Sequence, residues 1–253
     1  MKDITIIIPV VNLGKEKNQD LLKRAINSVD DSHILIVGPE EDIKIVESFK
    51  TDKMIRVLVN KSQNHSYPFQ VNLGVKDIKT SYFSVLEYDD VYTNVWFKNV
   101  ENYIKNDSEE IFAFLPLTEV IDVMSGPIGF VNEAVWASSF SEEIGYYDLQ
   151  SLEDYSYFNT SGGVFRTNDF INLGMLKSSM KLTFWYEFLL RALYKGKKVF
   201  VIPKLGYQHF VGREDSLSSE YANNMSEEEF NWWLDLAKKE YFFPHDRNKT
   251  YQE

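Results

Sequence analysis

The stretch SVLEYDDVYTN, residues 84 to 94, sets Glu87, Asp89 and Asp90 at the end of a run that reads as a buried strand. Like charges so placed repel, and burial raises the cost of each ionised carboxylate. Two chemistries answer the crowding. In one the acids are a solvated turn, since Asp favours turns. In the other they hold a divalent cation against a phosphate, which converts repulsion into binding.

The elements around the acids decide where they can act. ITIIIPV (4 to 10), HILIVG (33 to 38), MIRVLVN (54 to 60) and SYFSVLE (81 to 87) are nearly continuous apolar runs, as expected of parallel strands covered on both faces. NQDLLKRAINSV, EEDIKIVESF and PFQVNLGVKDI lie between them with helix-spaced apolar residues, giving a βαβαβαβ half. A helix is expected over NVWFKNVENYIKN and one or two strands over EIFAFLPL and EVIDVM. Residues 125 to 160 lack clear periodicity and read as short helices and loops. A helix ending near Gly196 follows, then a strand from about Lys198 to Ile202 with Pro203 beyond it. A last amphipathic helix is opened by Ser226 and acidic residues.

Composition narrows the partners. At 253 residues and 44% hydrophobic content, the chain can bury a substantial core. Its 27 basic and 38 acidic residues give a charge of −11 without a long Lys/Arg run, so no phosphate-backbone footprint is advertised. The absence of cysteine excludes disulfides and thiolate metal sites. The opening MKDITIIIPVVN is too short to span a bilayer and lacks a cleavage pattern, and the expected location is cytoplasmic.

In an open α/β sheet, ligands bind beyond the carboxyl ends of the strands. The three acids fall on that edge, as do PVVN, GPEE and NKSQNHSYP after the first three strands. The order ITIIIPVVN, LLKRAINSV, HILIVG and VNLGV with TSYFSVLEYDD resembles the nucleotide-binding half of family-2 glycosyltransferases of the GT-A fold, a phage-encoded member among the readings. SGGVFRTNDFINLG, FWYEFLLRALYKGKKVFVIPKLGY and HFVGREDSLS resemble that family's acceptor-side segment, helix and closing loop, so the likeness covers roughly residues 3 to 220. It implies a nucleotide-sugar-binding half over 1–124, an acceptor-side half and closing loop over 125–220, and a C-terminal helical extension over 221–253. The fold class implied is α/β, with a Rossmann-like half on a mixed, mainly parallel sheet.

The resemblance also implies roles. Glu87 matches the first acid of the family's Asp-x-Asp motif, Asp89 its metal-binding acid, and Asp90 the acid that follows. Mn²⁺ or Mg²⁺ is the implied ion, since both prefer hard oxygen ligands. His209 matches a late histidine that completes the metal shell, with a structural or solvated histidine as the alternative. Pro9, Val11 and Asn12 match the loop that approaches base and ribose, Asn72 and Gly74 the N.G before the metal strand, and Arg213 and Ser216 a late R..S loop that meets the diphosphate. Loop, cap or surface chemistry is the competing reading for each.

Two departures stand out. VGPEED replaces the family's DDGS, leaving Glu40 or Glu41 as substitutes for base selection. Phe184 and Trp185 stand where inverting members place a Glu-Asp pair. Glu187 is then the nearest carboxylate and the candidate catalytic base, against a plain ion pair with Arg191 four residues on; Glu153 or Asp154 is a third option. The expected function is metal-dependent transfer of a hexosyl or pentosyl group from a nucleoside-diphosphate sugar, UDP foremost. The acceptor is a hydroxyl of a glycan, a small molecule or a hydroxymethylated DNA base. A noncatalytic sugar-nucleotide or glycan-binding module and a sugar-phosphate nucleotidyltransferase are the alternatives, the latter lacking its Gly-rich loop in PVVNLGKEKN.

Overall fold

The computed structural model describes residues 3–213, 216 and 224–242. The first half alternates strand and helix as expected: β1 (Ile4–Pro9), α1 (Glu16–Ser28), β2 (His33–Gly38), α2 (Glu40–Glu47), β3 (Ile55–Val59), α3 (Tyr67–Asp77) and β4 (Tyr82–Val85). A short β5 (Val91–Tyr92) and α4 (Trp96–Lys105) follow. Next come β6 (Ala113–Asp122), β7 (Gly126–Val131), a 3-10 turn (Glu133–Trp136), β8 (Tyr146–Tyr147) and α5 (Ser151–Asp154). The chain continues through β9 (Val164–Arg166), α6 (Thr167–Asn172), α7 (Phe184–Tyr194), β10 (Val199–Val211) and α8 (Glu227–Phe242).

One sheet carries the fold, in the order β3-β2-β1-β4-β9-β6-β10-β5, with β7 on β6 and β8 on β10. The β3-β2-β1-β4 block and the β6–β10 pair are parallel, whereas β9 joins β4 and β6 antiparallel. Residues 164–166 thus tie the two halves of the chain into one sheet. Ile4, Ile6, Ile7 and Ile8 of β1 are fully buried, which matches their unbroken apolar run; each burial contributes roughly 1.5–3 kcal/mol. On α3, Gly74 lets the helix lie directly on β1, since a Cβ there would sit 2.8 Å from Ile7 Cγ2. Among the described residues no helix is long and apolar enough to cross a membrane.

Of the one or two strands expected over EIFAFLPL and EVIDVM, the chain forms one, β6. Two elements differ from the sequence reading. The segment 125–160, read as short helices and loops, also contains β7 and β8. The strand expected to stop at Ile202 runs on to Val211 as β10, because the pairing with β6 shifts register between Ile202 and Leu205 and again between Leu205 and Tyr207. A bulge absorbs Pro203, which cannot donate to the ladder, and pairing resumes beyond it. Gly206 makes this passage feasible, since a Cβ there would meet Trp96 at 2.3 Å. The continuation carries Tyr207 and His209 to the acidic turn.

Candidate active site

β4 ends at Val85, and the Leu86 amide still donates to Ile7 O before the chain turns through Glu87–Asp90, closed by Asp90 N to Glu87 O at 3.1 Å. β5 then pairs antiparallel with β10, Val91 opposite Gln208 and Tyr92 opposite Tyr207. This pairing sets Asp90 beside the far part of β10. His209 Nδ1 lies 2.8 Å from Asp90 Oδ2, and the Phe210 amide donates to Asp90 Oδ1 at 2.8 Å. The Glu87 amide donates to the Tyr207 hydroxyl at 3.2 Å. Ligand atoms of Glu87, Asp90 and His209 all lie within 4.8 Å of one another.

Burial shapes the charges. It pushes the Asp90 carboxyl above its usual range against the pull of His209; it raises Glu87 likewise, with the Asp90 charge adding to the rise. Burial also raises Asp89, helped by Glu87 and opposed by Arg213. For His209, burial pulls the imidazole down, but Asp90, Glu87 and Asp89 outweigh it and hold the group up at about 9. A buried carboxylate, a half-buried one and a half-buried imidazole, the two acids carrying charge that a cation would offset, are a donor set that a divalent ion can take. The residues therefore fit the ion implied by the sequence.

Asp89 stands apart from that set. Its carboxylate pairs with Arg213 at 2.9 Å, and its carbonyl accepts from Arg24, whose guanidinium lies 4.0 Å from the Phe210 ring centre. Arg213 also leans on the Tyr88 ring, and Ser216 Oγ donates to Arg213 O at 3.0 Å. Of the residues expected after β1, Pro9 closes the strand, Val11 is half-buried, and Asn12 is exposed in the left-handed region at φ 59°. This loop is pinned from beneath by Asp42, which accepts from the Leu13 amide at 2.7 Å.

Other expected residues are engaged elsewhere. Asn72 exchanges two hydrogen bonds with the backbone of Leu176, at 2.7 and 3.0 Å, and so ties α3 to the segment after α6. Glu40 pairs with Lys44 at an exposed helix face, and Glu41 is exposed. The Glu187 carboxylate is buried between Lys177 Nζ at 2.8 Å, Arg191 Nη2 at 2.9 Å and the Tyr241 hydroxyl at 2.7 Å. Glu153 accepts from Gln150.

A cavity of about 290 Å³ opens beside Glu87 and His209, walled by Val120, Val131, Val211, Tyr157 and Trp185 and floored by the loop 158–161. Glu187, Glu153 and Asp154 do not line it. The floor is anchored through Asn132, in the left-handed region at φ 75°, which exchanges hydrogen bonds with both Asn159 N and Asn159 O. Asn159 in turn accepts from Ser161 N, and Ser161 Oγ donates to Glu87. Gly162, at φ 76°, donates to Val85 O and accepts from Trp96 Nε1, and a Cβ there would strike Tyr207 at 2.4 Å. Local sequence does not mark Asn132, Asn159 and Ser161, because the contacts that place them in the site, Asn132 to Asn159 and Ser161 to Glu87, span 27 and 74 residues; the Ser-Gly-Gly of residues 161–163 was the one local signal. A larger hollow, about 620 Å³ between Thr5, His33, Arg56 and Asp77, lies at the opposite, amino-terminal end of the strands.

A parallel βαβ half whose fourth strand ends in carboxylates, returned upon by a long strand bearing a histidine, is the GT-A glycosyltransferase fold. Solved structures bear this out. The chain is similar to S. aureus TarS 1-349 in complex with UDP-GlcNAc, with a TM-score of 0.67 and 15% identity, over 94% of this chain and 66% of that one. It is also similar to the same TarS fragment in complex with UDP, with a TM-score of 0.61 and 14% identity, over 99% of this chain and 75% of that one. The chain therefore spans about two thirds to three quarters of those fragments. No protein-family model matches the sequence, and no curated protein sequence does either.

Proposed function

We propose that the chain is a metal-dependent glycosyltransferase that uses a nucleoside-diphosphate sugar, a UDP-sugar foremost. The observation that carries this reading is the convergence of Glu87, Asp90 and His209 within 4.8 Å at the carboxyl ends of the strands. These three residues would hold Mn²⁺ or Mg²⁺. When bound, the ion offsets the negative charge that grows on the departing diphosphate. Arg213, kept in place by Asp89, presents a guanidinium next to the same edge and suits a diphosphate. The loop 10–13, pinned by Asp42, faces the base and ribose on this reading. TarS structures holding UDP and UDP-GlcNAc on the same fold support this choice of donor.

In the transfer, the acceptor oxygen bonds to the anomeric carbon as the bond from that carbon to the diphosphate oxygen breaks. Glu187 is saturated by three partners and faces away from the cavity, so we assign it to holding α8 and Lys177 on α7. The acceptor's proton then passes to the departing diphosphate oxygen, a substrate-assisted route. Trp185, standing where the sequence likeness expects the catalytic acid, favours a second reading: a noncatalytic sugar-nucleotide-binding module.

One experiment separates the readings. The chain is incubated with UDP-, GDP- and TDP-sugars and Mn²⁺, and both nucleotide release and thermal stability are measured. Stabilisation with nucleotide release supports the transferase. Stabilisation without release, with or without hydroxyl acceptors, assigns the module, and no stabilisation by any nucleotide rejects both.

A further inference from the structure

We propose that the acceptor is an uncharged saccharide whose ring lies on Trp185 and Tyr157, which deepens the transferase reading and rests on it. The cavity beside Glu87 carries no Lys or Arg in its wall among the described residues. Glu87 is its one carboxylate, His209 its imidazole and Tyr157 its phenol, and the guanidinium of Arg213 is ion-paired with Asp89. On the transferase reading the cation held by Glu87, Asp90 and His209 is taken up by the donor's diphosphate, so a polyanionic acceptor finds no clustered Lys or Arg in the lining to hold its phosphates or sulfates, and a net charge of −11 adds long-range repulsion. That argues against a DNA-borne base.

The walls instead suit one ring with an apolar face. Trp185 is stacked on Phe165 at 5.3 Å and 20°, which fixes its plane. Tyr157 is 62% exposed at the mouth. Val131 and Val211 complete an apolar lining, and aromatic faces carry the π density that attracts the C–H face of a sugar. Polar groups are few and directional. Asn159 spends its amide oxygen on Ser161 N, leaving Nδ2 to donate, while the Glu87 carboxylate accepts hydroxyl protons. At about 290 Å³ the cavity lies at the small end of ligand pockets, with room for one ring.

The test is saturation-transfer NMR on the full chain with neutral methyl glycosides and disaccharides. A heparin fragment and a hydroxymethylcytosine DNA duplex are run beside them, each in low and physiological salt. We expect signal from neutral glycosides that is insensitive to salt, and none from the two polyanions. Tyr157→Ala, a change at an exposed side chain, should weaken glycoside binding by about threefold to tenfold while UDP affinity holds. Binding of heparin or DNA that collapses with salt, silence from every glycoside, or glycoside affinity unchanged in both Tyr157→Ala and Trp185→Ala would each overturn the proposal. A UDP–Mn²⁺ melting curve on the same sample keeps the two claims apart. UDP stabilisation without glycoside signal overturns the acceptor class alone, whereas glycoside signal without UDP stabilisation upholds the saccharide cleft and rejects the transferase.

Discussion

The His209 imidazole lies 2.8 Å from the Asp90 carboxylate across 119 residues of chain, and it is held there because β10 resumes pairing after Pro203. The contact joins the acidic turn to the last strand of the sheet. The juxtaposition of Glu87, Asp90 and His209 is therefore a property of the folded chain alone.

UDP should therefore stabilise the protein only with a divalent ion present. At 100 times the dissociation constant the gain is about 2.7 kcal/mol. For a chain of this size that raises the melting temperature by roughly 5–10 °C. Scanning calorimetry with Mn²⁺ and then with excess EDTA checks it; equal stabilisation in both speaks against the metal role.

Asp90 and Asp89 should separate on mutation. Asp90→Asn removes a charge from the cation set and is expected to abolish the Mn²⁺-dependent part of UDP binding. Asp89→Asn takes the carboxylate charge from the ion pair with the buried Arg213 and should cost about 1–3 kcal/mol of stability while cation binding persists. Isothermal titration with Mn²⁺ and denaturant melts on both variants decide, and loss of Mn²⁺ binding in Asp89→Asn alone would restore Asp89 as the metal acid.

The pH dependence follows from His209. Its pKa rises from 6.5 in the unfolded chain to about 9 in the fold, so its stabilisation is fully present below pH 6.5 and is lost as pH climbs through 9. Asp90 and Glu87, raised by burial, act in the same sense at lower pH. The metal-free protein should thus weaken between about pH 6.5 and 9. Mn²⁺ competes with the His209 proton, so its affinity should rise over that window by up to roughly tenfold per pH unit. Melts with and without Mn²⁺ across the range would show the two curves diverging; parallel curves would exclude His209 as a ligand.

Glu187→Gln tests the residue that the sequence nominated as base. The carboxylate bridges Lys177, Arg191 and Tyr241, so its loss should cost about 3 kcal/mol and roughly 6–12 °C in melting temperature. Turnover below the melting transition should stay near wild type. A fall of about 10²-fold at unchanged donor affinity would instead return Glu187 to catalysis.

Much of this protein was legible in one dimension, because strands buried on both faces must be apolar throughout and crossover helices must alternate with them. Hence β1 to β4 and α1 to α3 lie where their patterns put them, and the acids fall just past β4 on the ligand edge. Local patterning could not say which acid does what. Asp89 and Asp90 are neighbours in sequence, yet the turn sends one to Arg213 and the other to His209, partners more than a hundred residues away. Pro203 read locally as a stop, whereas pairing with β6 on both sides of a bulge carries the strand through it. Glu187 and Trp185 sit two residues apart on α7, and helix geometry turns the carboxylate into the packed interface with α8 and the indole into the cavity. Side-chain direction and long-range partners arise only when the chain closes on itself, so tertiary structure alone decided the composition of the site.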